Sequence, residues 1–215
     1  NLFGINTSEL DDTITSKERY KRFNLNQLQI IEKILNKNGY SLKKFNSIFE
    51  FGCGFGRLTE HLLDLLPNTS IYGSDVENKF VMECKKKFSK GNFFVNEFKP
   101  PLNLADQKFD FIFSYSVFTH LTENNHIAWL KELKKFLNKN GVMLHTTHSF
   151  ECLKRLSIFS PNSLNKYNLK KNLNDILNEK NTYHFAAPKN KSDSISSDDP
   201  LNPEYGLTII SKDYI

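Results

Sequence analysis

The sequence predicts an α/β fold built on a mainly parallel central sheet with helices on both faces, and three observations predict it. Residues 47–57 read Ser-Ile-Phe-Glu-Phe-Gly-Cys-Gly-Phe-Gly-Arg, a short apolar run that breaks into glycines at alternate positions. Residues 70–75 form a second short strand pattern that ends in a carboxylate, Asp75. It follows the first glycine at close to the ~20-residue interval at which α/β cofactor folds place an acid. Residues 108–114 are nearly all apolar, as a parallel strand covered on both faces requires.

Length and composition bound the reading. The chain has 215 residues, enough for one α/β domain with a full core, and its 39% hydrophobic content includes 19 phenylalanines. No run approaches the ~20 apolar residues of a membrane span, and no basic-plus-apolar signal peptide opens the chain. The first residue is Asn1 rather than Met, so the natural start is expected upstream. Cys53, Cys84 and Cys152 form no C-x-x-C. That argues against a disulfide frame or a zinc site and for a reducing, cytoplasmic setting with no metal. The net charge of +5 is carried by lysines on expected helix faces, without interleaved aromatics. A solvated face is therefore expected rather than a nucleic-acid patch.

The elements follow in order. Residues 16–20 enter a helix, and Leu25, Leu28, Ile31 and Leu35 continue an amphipathic pattern that stops at Asn38-Gly39. The first strand runs through Ile48–Phe51. Its helix places Leu58, Leu62, Leu65 and Leu66 on one face. A helix over 76–88 follows Asp75, and residues 92–96 read as a third strand. After the fourth strand, Ile127, Leu130, Leu133 and Leu137 mark a helix ended by Asn138–Gly141, and residues 141–148 read as a fifth strand. A helix over 151–159 then gives way to Asn/Lys-rich sequence and to a polar, low-complexity stretch at 189–199, expected to be mobile.

The glycine turn carries the functional expectation. Glycine lets a ligand approach the main chain closely, and the helix N-terminus behind it offers unpaired N–H groups to a polar or anionic ligand end. A dinucleotide site wants G-x-G-x-x-G, but here Arg57 stands at the third glycine position and Gly56 falls one residue early. A P-loop would need Gly-Lys-Ser/Thr, which is absent.

Glu50-x-Gly52-x-Gly54-x-Gly56 resembles instead the first motif of class I S-adenosylmethionine-dependent methyltransferases. The resemblance implies a Rossmann-like sandwich whose glycine loop wraps the methionine end of the cofactor, with Glu50 helping to hold it. Residues 109–121, Phe-Asp-Phe-Ile-Phe-Ser followed by Tyr-Ser-Val-Phe-Thr-His-Leu, resemble the fourth-strand region of small-molecule members. The Ser-Val-Phe-Thr-His-Leu match is to a subgroup associated with bacterial glycan and surface-polysaccharide gene clusters. In that subgroup a segment like 149–204 leads into a helix and two last strands of the sheet, which are expected to be missing here.

Asp75 is expected to accept hydrogen bonds from the ribose diol, since charge-assisted bonds are the stronger kind. The competing account is a cap on the next helix, and both can hold. By family position, Asn96 or Glu97 at the third strand end would contact the adenine. The full expected cofactor set is Tyr20, Glu50, Gly52, Cys53, Gly54, Gly56, Arg57, Asp75, Val76, Asn96, Glu97, Ser114 and Tyr115. Cys53, with no adjacent His, is expected to pack rather than react. Tyr20, Tyr115 and Phe118 offer aromatic faces to a sulfonium; plain packing is the competing account.

Methyl transfer from a sulfonium gains most from alignment, and a base adds ~10²–10⁴-fold. His120 after the fourth strand is the first candidate base and His148 after the fifth the second; His61 and His145 are expected to be structural. The expected arrangement is one domain over 1–215, with a helical cap over 1–40, a cofactor core over 41–148 and an insert or lid over 149–204. The expected activity is O-methylation of a small polar acceptor such as a sugar or nucleotide-linked glycan precursor. Alternatives are methylation of RNA or another nucleic acid, or non-catalytic cofactor binding. Asn/Asp-Pro-Pro-Tyr/Phe and Pro-Cys motifs, which base methylation would call for, are absent.

Overall fold

The computed structural model describes residues 15–159, 161–167, 175–176, 183–186 and 204–211. The low-complexity stretch at 189–199 lies outside them. The described residues divide into two compact units: 15–115 with 131–144, and 116–130 with the described residues from 145 onward.

The first unit opens with α1 (Ser16–Lys37), one continuous helix. Thr15 and Glu18 close a reciprocal capping box over its first turn, and Gly39 leaves its C-terminus at φ 83°. The strands are β1 (Ser47–Phe51), β2 (Ser70–Asp75), β3 (Asn92–Val95), β4 (Phe109–Ser114) and β5 (Leu137–His145). The sheet order is β3-β2-β1-β4-β5, and β1 pairs in parallel with both β2 and β4. Chain order reverses between β1 and β4, and there the carboxyl ends of the strands frame a crevice.

Between the strands run α2 (Arg57–Leu65) and α3 (Asn78–Lys87). Leu28, Ile31 and Leu35 of α1 and Leu58 and Leu62 of α2 pack with Ile48, Ile71, Phe111 and Phe113 on one sheet face. Phe49 points the other way by the strand period of two and stacks with Phe94 and Phe109 at 5.7 and 5.1 Å.

Several boundaries differ from the sequence reading. Leu65 is 56% exposed, Leu66 just past the helix is buried as expected, and Thr59 and His61 complete the inner face of α2. After Asp75 the helix starts at Asn78, because Asp75 itself turns the chain. The helix before β5, α4 (Glu123–Lys134), stops short of Asn138–Gly141. Phe136 O accepts the Phe109 N–H at 2.8 Å, and the Asn138 amide donates to Asp110 at 2.6 Å. Both draw this segment into the sheet rather than into helix. Ile127 is exposed, and Trp129, Leu133 and Phe136 are the buried positions.

The second unit is built on an antiparallel pair, β6 (Tyr183–Ala186) and β7 (Leu207–Ile210), with Tyr183 opposite Ile210. Leu153 and Leu156 of α5 (Phe150–Phe159) pack with Leu164 of α6 (Pro161–Leu164), Ile176, Leu207 and Ile209. The two strands make their own sheet, so among the described residues nothing extends the five-stranded one. A strand inside 149–204 was not expected; β6 forms because its partner arrives from far along the chain. Gly206 permits the crossing, since a Cβ there would strike the Ala186 carbonyl.

Candidate functional site

In the first unit the sequence-marked residues converge at the carboxyl ends of β1, β2 and β4. β1 delivers Glu50 and turns at Gly52, Gly54 and Gly56, whose φ angles of 78°, 53° and 72° all lie in the left-handed region. Ser74 O accepts the N–H groups of both Gly52 and Cys53 at 2.8 Å, which folds the loop back over β2. Asp75 fastens it: its carboxylate accepts from Gly54 N–H at 2.8 Å and from Glu77 N–H at 3.0 Å. Burial raises the Asp75 pKa, against the two backbone donors that lower it. The acid expected to hold a ribose is therefore also the residue that shapes the loop.

A Cβ on Gly54 would meet nothing within 4 Å, so this side of the loop is open to a ligand. Gly56 is the opposite case. It caps α2 in the left-handed conformation, and a Cβ there would lie 2.5 Å from Phe88 Cε2 and 3.1 Å from Cys84 Sγ. Gly56→Ala is expected to cost about 1–3 kcal/mol from the backbone alone. With the steric term added, a fall in melting temperature read by circular dichroism checks it; an unchanged midpoint would show that the loop relaxes freely.

Glu50 is 2% exposed and accepts from the Thr59 hydroxyl at 2.5 Å. Burial pushes its carboxyl up to about 7; Thr59 and Arg57 oppose the rise and the Asp75 charge adds to it. Arg57 lies over the Tyr115 ring at 4.9 Å from the centroid, and the Tyr115 hydroxyl donates to Gln27 Oε1 at 2.7 Å. Ser114, one residue before, is buried at the end of β4.

Asn96, also buried, follows β3, donates to Glu97 O at 2.8 Å and keeps a buried Oδ1 with no hydrogen-bond partner among the described residues. Glu97 and Val76 are exposed. Tyr20 is 57% exposed, and the polar side chains that α1 buries lie further along the same stripe, Asn24 and Gln27. Asn24 Oδ1 likewise has no partner among the described residues. Sequence reading missed Asn24, Gln27 and Thr59. The signal available for the first two was an amide at helical spacing inside an apolar stripe.

These residues fit an adenosyl amino acid. A buried carboxylate and a guanidinium stand beside the glycine loop, a second carboxylate ends β2, and unpartnered buried amide oxygens occur on α1 and after β3.

The second unit brings His120 and His148 together, their ring centroids 6.4 Å apart. The strand β7 and the turn before it position both. His120 O accepts from Gly206 N and His148 O from Ile210 N, each at 2.9 Å. His120 Nδ1 bonds Gly206 O at 2.8 Å, which places the proton on Nδ1, and its ring stacks on Tyr205 at 4.7 Å. Burial lowers the His120 pKa; it takes His148 down to about 4, helped by the His120 charge. Both imidazoles are thus neutral near pH 7.

Ser116 adopts φ 64°, uncommon for a side-chain-bearing residue, and its N–H donates to Thr146 Oγ1 at 2.7 Å. Phe118 is buried between His126 and His145 at 4.6 and 4.3 Å, a packing role. A pocket of about 410 Å³ in this unit is lined by Thr122, Glu123, Asn124, Tyr183, His184 and Phe185 among others. Among the described residues no helix is long and apolar enough to cross a membrane.

Residues 49–143 match the family model described as a methyltransferase domain. An uncharacterized methyltransferase of Bacillus cereus is 30% identical over 128 residues, 57% of this chain and 54% of that protein. The chain therefore spans about half the length of that relative. Among solved structures, the plantazolicin methyltransferase BpumL, in complex with a monoazolic desmethylPZN analog and SAH, superposes with a TM-score of 0.53 at 18% identity. The match covers 66% of this chain and 58% of that one. Coclaurine N-methyltransferase, bound to N-methylheliamine and SAH, gives 0.50 at 16% identity over 63% and 38% of the two chains. The chain has the Rossmann-like fold of the class I methyltransferases, and the segment that matches the methyltransferase domain model runs from within β1 to within β5.

Proposed function

We propose that this chain is an S-adenosylmethionine-dependent methyltransferase that methylates a hydroxyl of a small polar acceptor, a sugar or a nucleotide-linked glycan precursor. The observation that carries the cofactor reading is the loop held open at Gly54 by the Asp75 carboxylate beside a buried Glu50. The bound cofactor supplies an electrophilic methyl group on a sulfonium. Asp75 holds the ribose hydroxyls, Asn96 the adenine edge and Glu50, once ionised, the ammonium group. Arg57, oriented by Tyr115, holds the carboxylate.

His120 takes the acceptor proton through Nε2, because Nδ1–H is committed to Gly206 O; His148 is the second candidate. A lowered pKa keeps the base neutral down to more acid pH than an ordinary imidazole. The sugar reading is supported by a pocket that combines the aromatic rings of Tyr183 and Phe185 with Glu123 and Asn124 and, among the described residues, has no Lys or Arg in its wall. The same wall, with its carboxylate and no cation, favours an amine acceptor as the second reading.

Calorimetric titration with S-adenosylhomocysteine and with NAD tests the cofactor; binding of NAD alone would overturn the reading. Transfer of a labelled methyl group to a panel of neutral sugars, sugar nucleotides, amino sugars and RNA then tests the acceptor. In that assay His120→Ala is expected to lower kcat by ~10²–10⁴-fold with S-adenosylhomocysteine affinity within about twofold. Wild-type turnover would remove His120 as base.

A further inference from the structure

Cys53 and Cys84, far apart in the sequence, meet in the fold. Cys53 stands in the glycine loop between Gly52 and Gly54, and Cys84 lies on the last turns of α3. Both sulfurs reach the same acceptor, Gly54 O, Cys84 at 3.3 Å and Cys53 at 3.7 Å, which sets the two thiols beside one another. Val81 and Phe93 close an apolar shell around the pair.

Glycines line the recess on both sides. Cys84 Sγ is 3.1 Å from where a Cβ on Gly56 would stand, and Cys53 Sγ is 3.1 Å from the same point on Gly73. The cysteines are 3% and 0% exposed, and a Cβ on Gly54, the residue after Cys53, would meet nothing within 4 Å, so a reagent reaches the sulfurs when the loop opens on that side.

We propose that Cys53 and Cys84 are an oxidative modification site, at which peroxide forms a reversible disulfide that ties the glycine loop to α3 and weakens cofactor binding. The Cys84 thiolate attacks a peroxide oxygen, breaking the O–O bond. This leaves a sulfenic acid and a hydroxide, which takes up the thiol proton as water. The Cys53 sulfur then attacks the Cys84 sulfur; the S–S bond forms, the S–O bond breaks and the departing hydroxide takes the Cys53 proton as a second water. Two electrons leave the two thiols and one peroxide becomes two waters.

The reverse order, with Cys53 attacking first, gives the same bond and the same balance. A disulfide sets its sulfurs about 2 Å apart, well inside thiol contact. Its formation therefore draws Cys53 toward α3 and pulls Gly54 N–H away from Asp75. The effect on affinity rests on the proposed cofactor; the bond itself does not.

The full chain, reduced and then treated with hydrogen peroxide, is examined by intact mass, by peptide mapping and by titration with S-adenosylhomocysteine. The expected result is loss of two hydrogens, a Cys53–Cys84 cross-link and an affinity at least tenfold lower that dithiothreitol restores. Cys84→Ala is expected to bind like the reduced wild type and to ignore peroxide. If that variant does not fold, mapping of the wild type still decides whether the bond forms. A cross-link through Cys152, sulfinic acid without a cross-link, or a Cys53–Cys84 bond with unchanged affinity would each overturn the proposal. Should the reduced wild type not bind S-adenosylhomocysteine, the cofactor reading and with it the affinity effect fall, while mapping still judges the bond.

Discussion

Asp75→Ala will raise the dissociation constant for S-adenosylhomocysteine at least tenfold, and it will also lower the melting temperature. On the proposed cofactor reading the first effect follows from removing an anionic acceptor from the ribose diol, since hydrogen bonds to a charged group contribute roughly 1.5–3 kcal/mol each and tenfold is about 1.4 kcal/mol. The second follows from geometry: Gly54 N–H at 2.8 Å and Glu77 N–H at 3.0 Å both lose their acceptor. At the edge of a crevice water replaces part of the loss, so about 2 kcal/mol is expected, or roughly 4–8 °C at this chain length. Asp75→Asn separates the two. Its one carbonyl oxygen serves one of the two donors, so its melting temperature falls between alanine and wild type while ligand affinity remains weak. A dissociation constant within twofold of wild type in the alanine variant would remove Asp75 from the ligand.

Glu50→Gln is expected to stabilise the free protein above pH 7 and to weaken the ligand. The Glu50 carboxyl is pushed up to about 7 from 4.5, chiefly by burial, so the fold prefers its protonated form. That preference contributes fully below pH 4.5 and is lost as the pH rises through about 7. At about 1.4 kcal/mol per unit the loss is on the order of 3 kcal/mol.

Glutamine stays neutral throughout and still accepts from Thr59, so at pH 8 the variant melts roughly 6–12 °C above wild type. Ligand binding goes the other way. An ammonium group favours the ionised carboxylate, so wild-type affinity for S-adenosylhomocysteine rises between pH 6 and 8, while that of the variant stays flat and at least tenfold weaker at pH 8. Thermal melts and calorimetry across that range check both arms. A variant that melts no higher than wild type at pH 8, or that binds as tightly, would sink the account of this carboxylate.

The convergence of the glycine turn and its two acids was legible because it is local. Glu50, the three glycines and Asp75 lie on consecutive strand ends, and the spacing of short apolar runs already implies parallel strands that bring those ends together. The second job of Asp75, shaping the loop, was half-legible as a helix cap and needed the distance to Gly54 to become plain. The elements read wrongly are those decided by a remote partner. Asn138 leaves the helical pattern for Asp110, Leu65 turns outward and β6 exists through β7.

Short-range spacing and backbone freedom dictate the parallel sheet, the glycine turn and the acid that answers it, and all three can be read from the chain alone. Packing was needed to bury Glu50 against Thr59, to bring Cys53 and Cys84 to one carbonyl, and to let Gly206 and Ile210 hold His120 and His148. Each of these pairs residues distant in the chain or on different elements, and their energy comes from contacts and desolvation that exist only once those elements have packed.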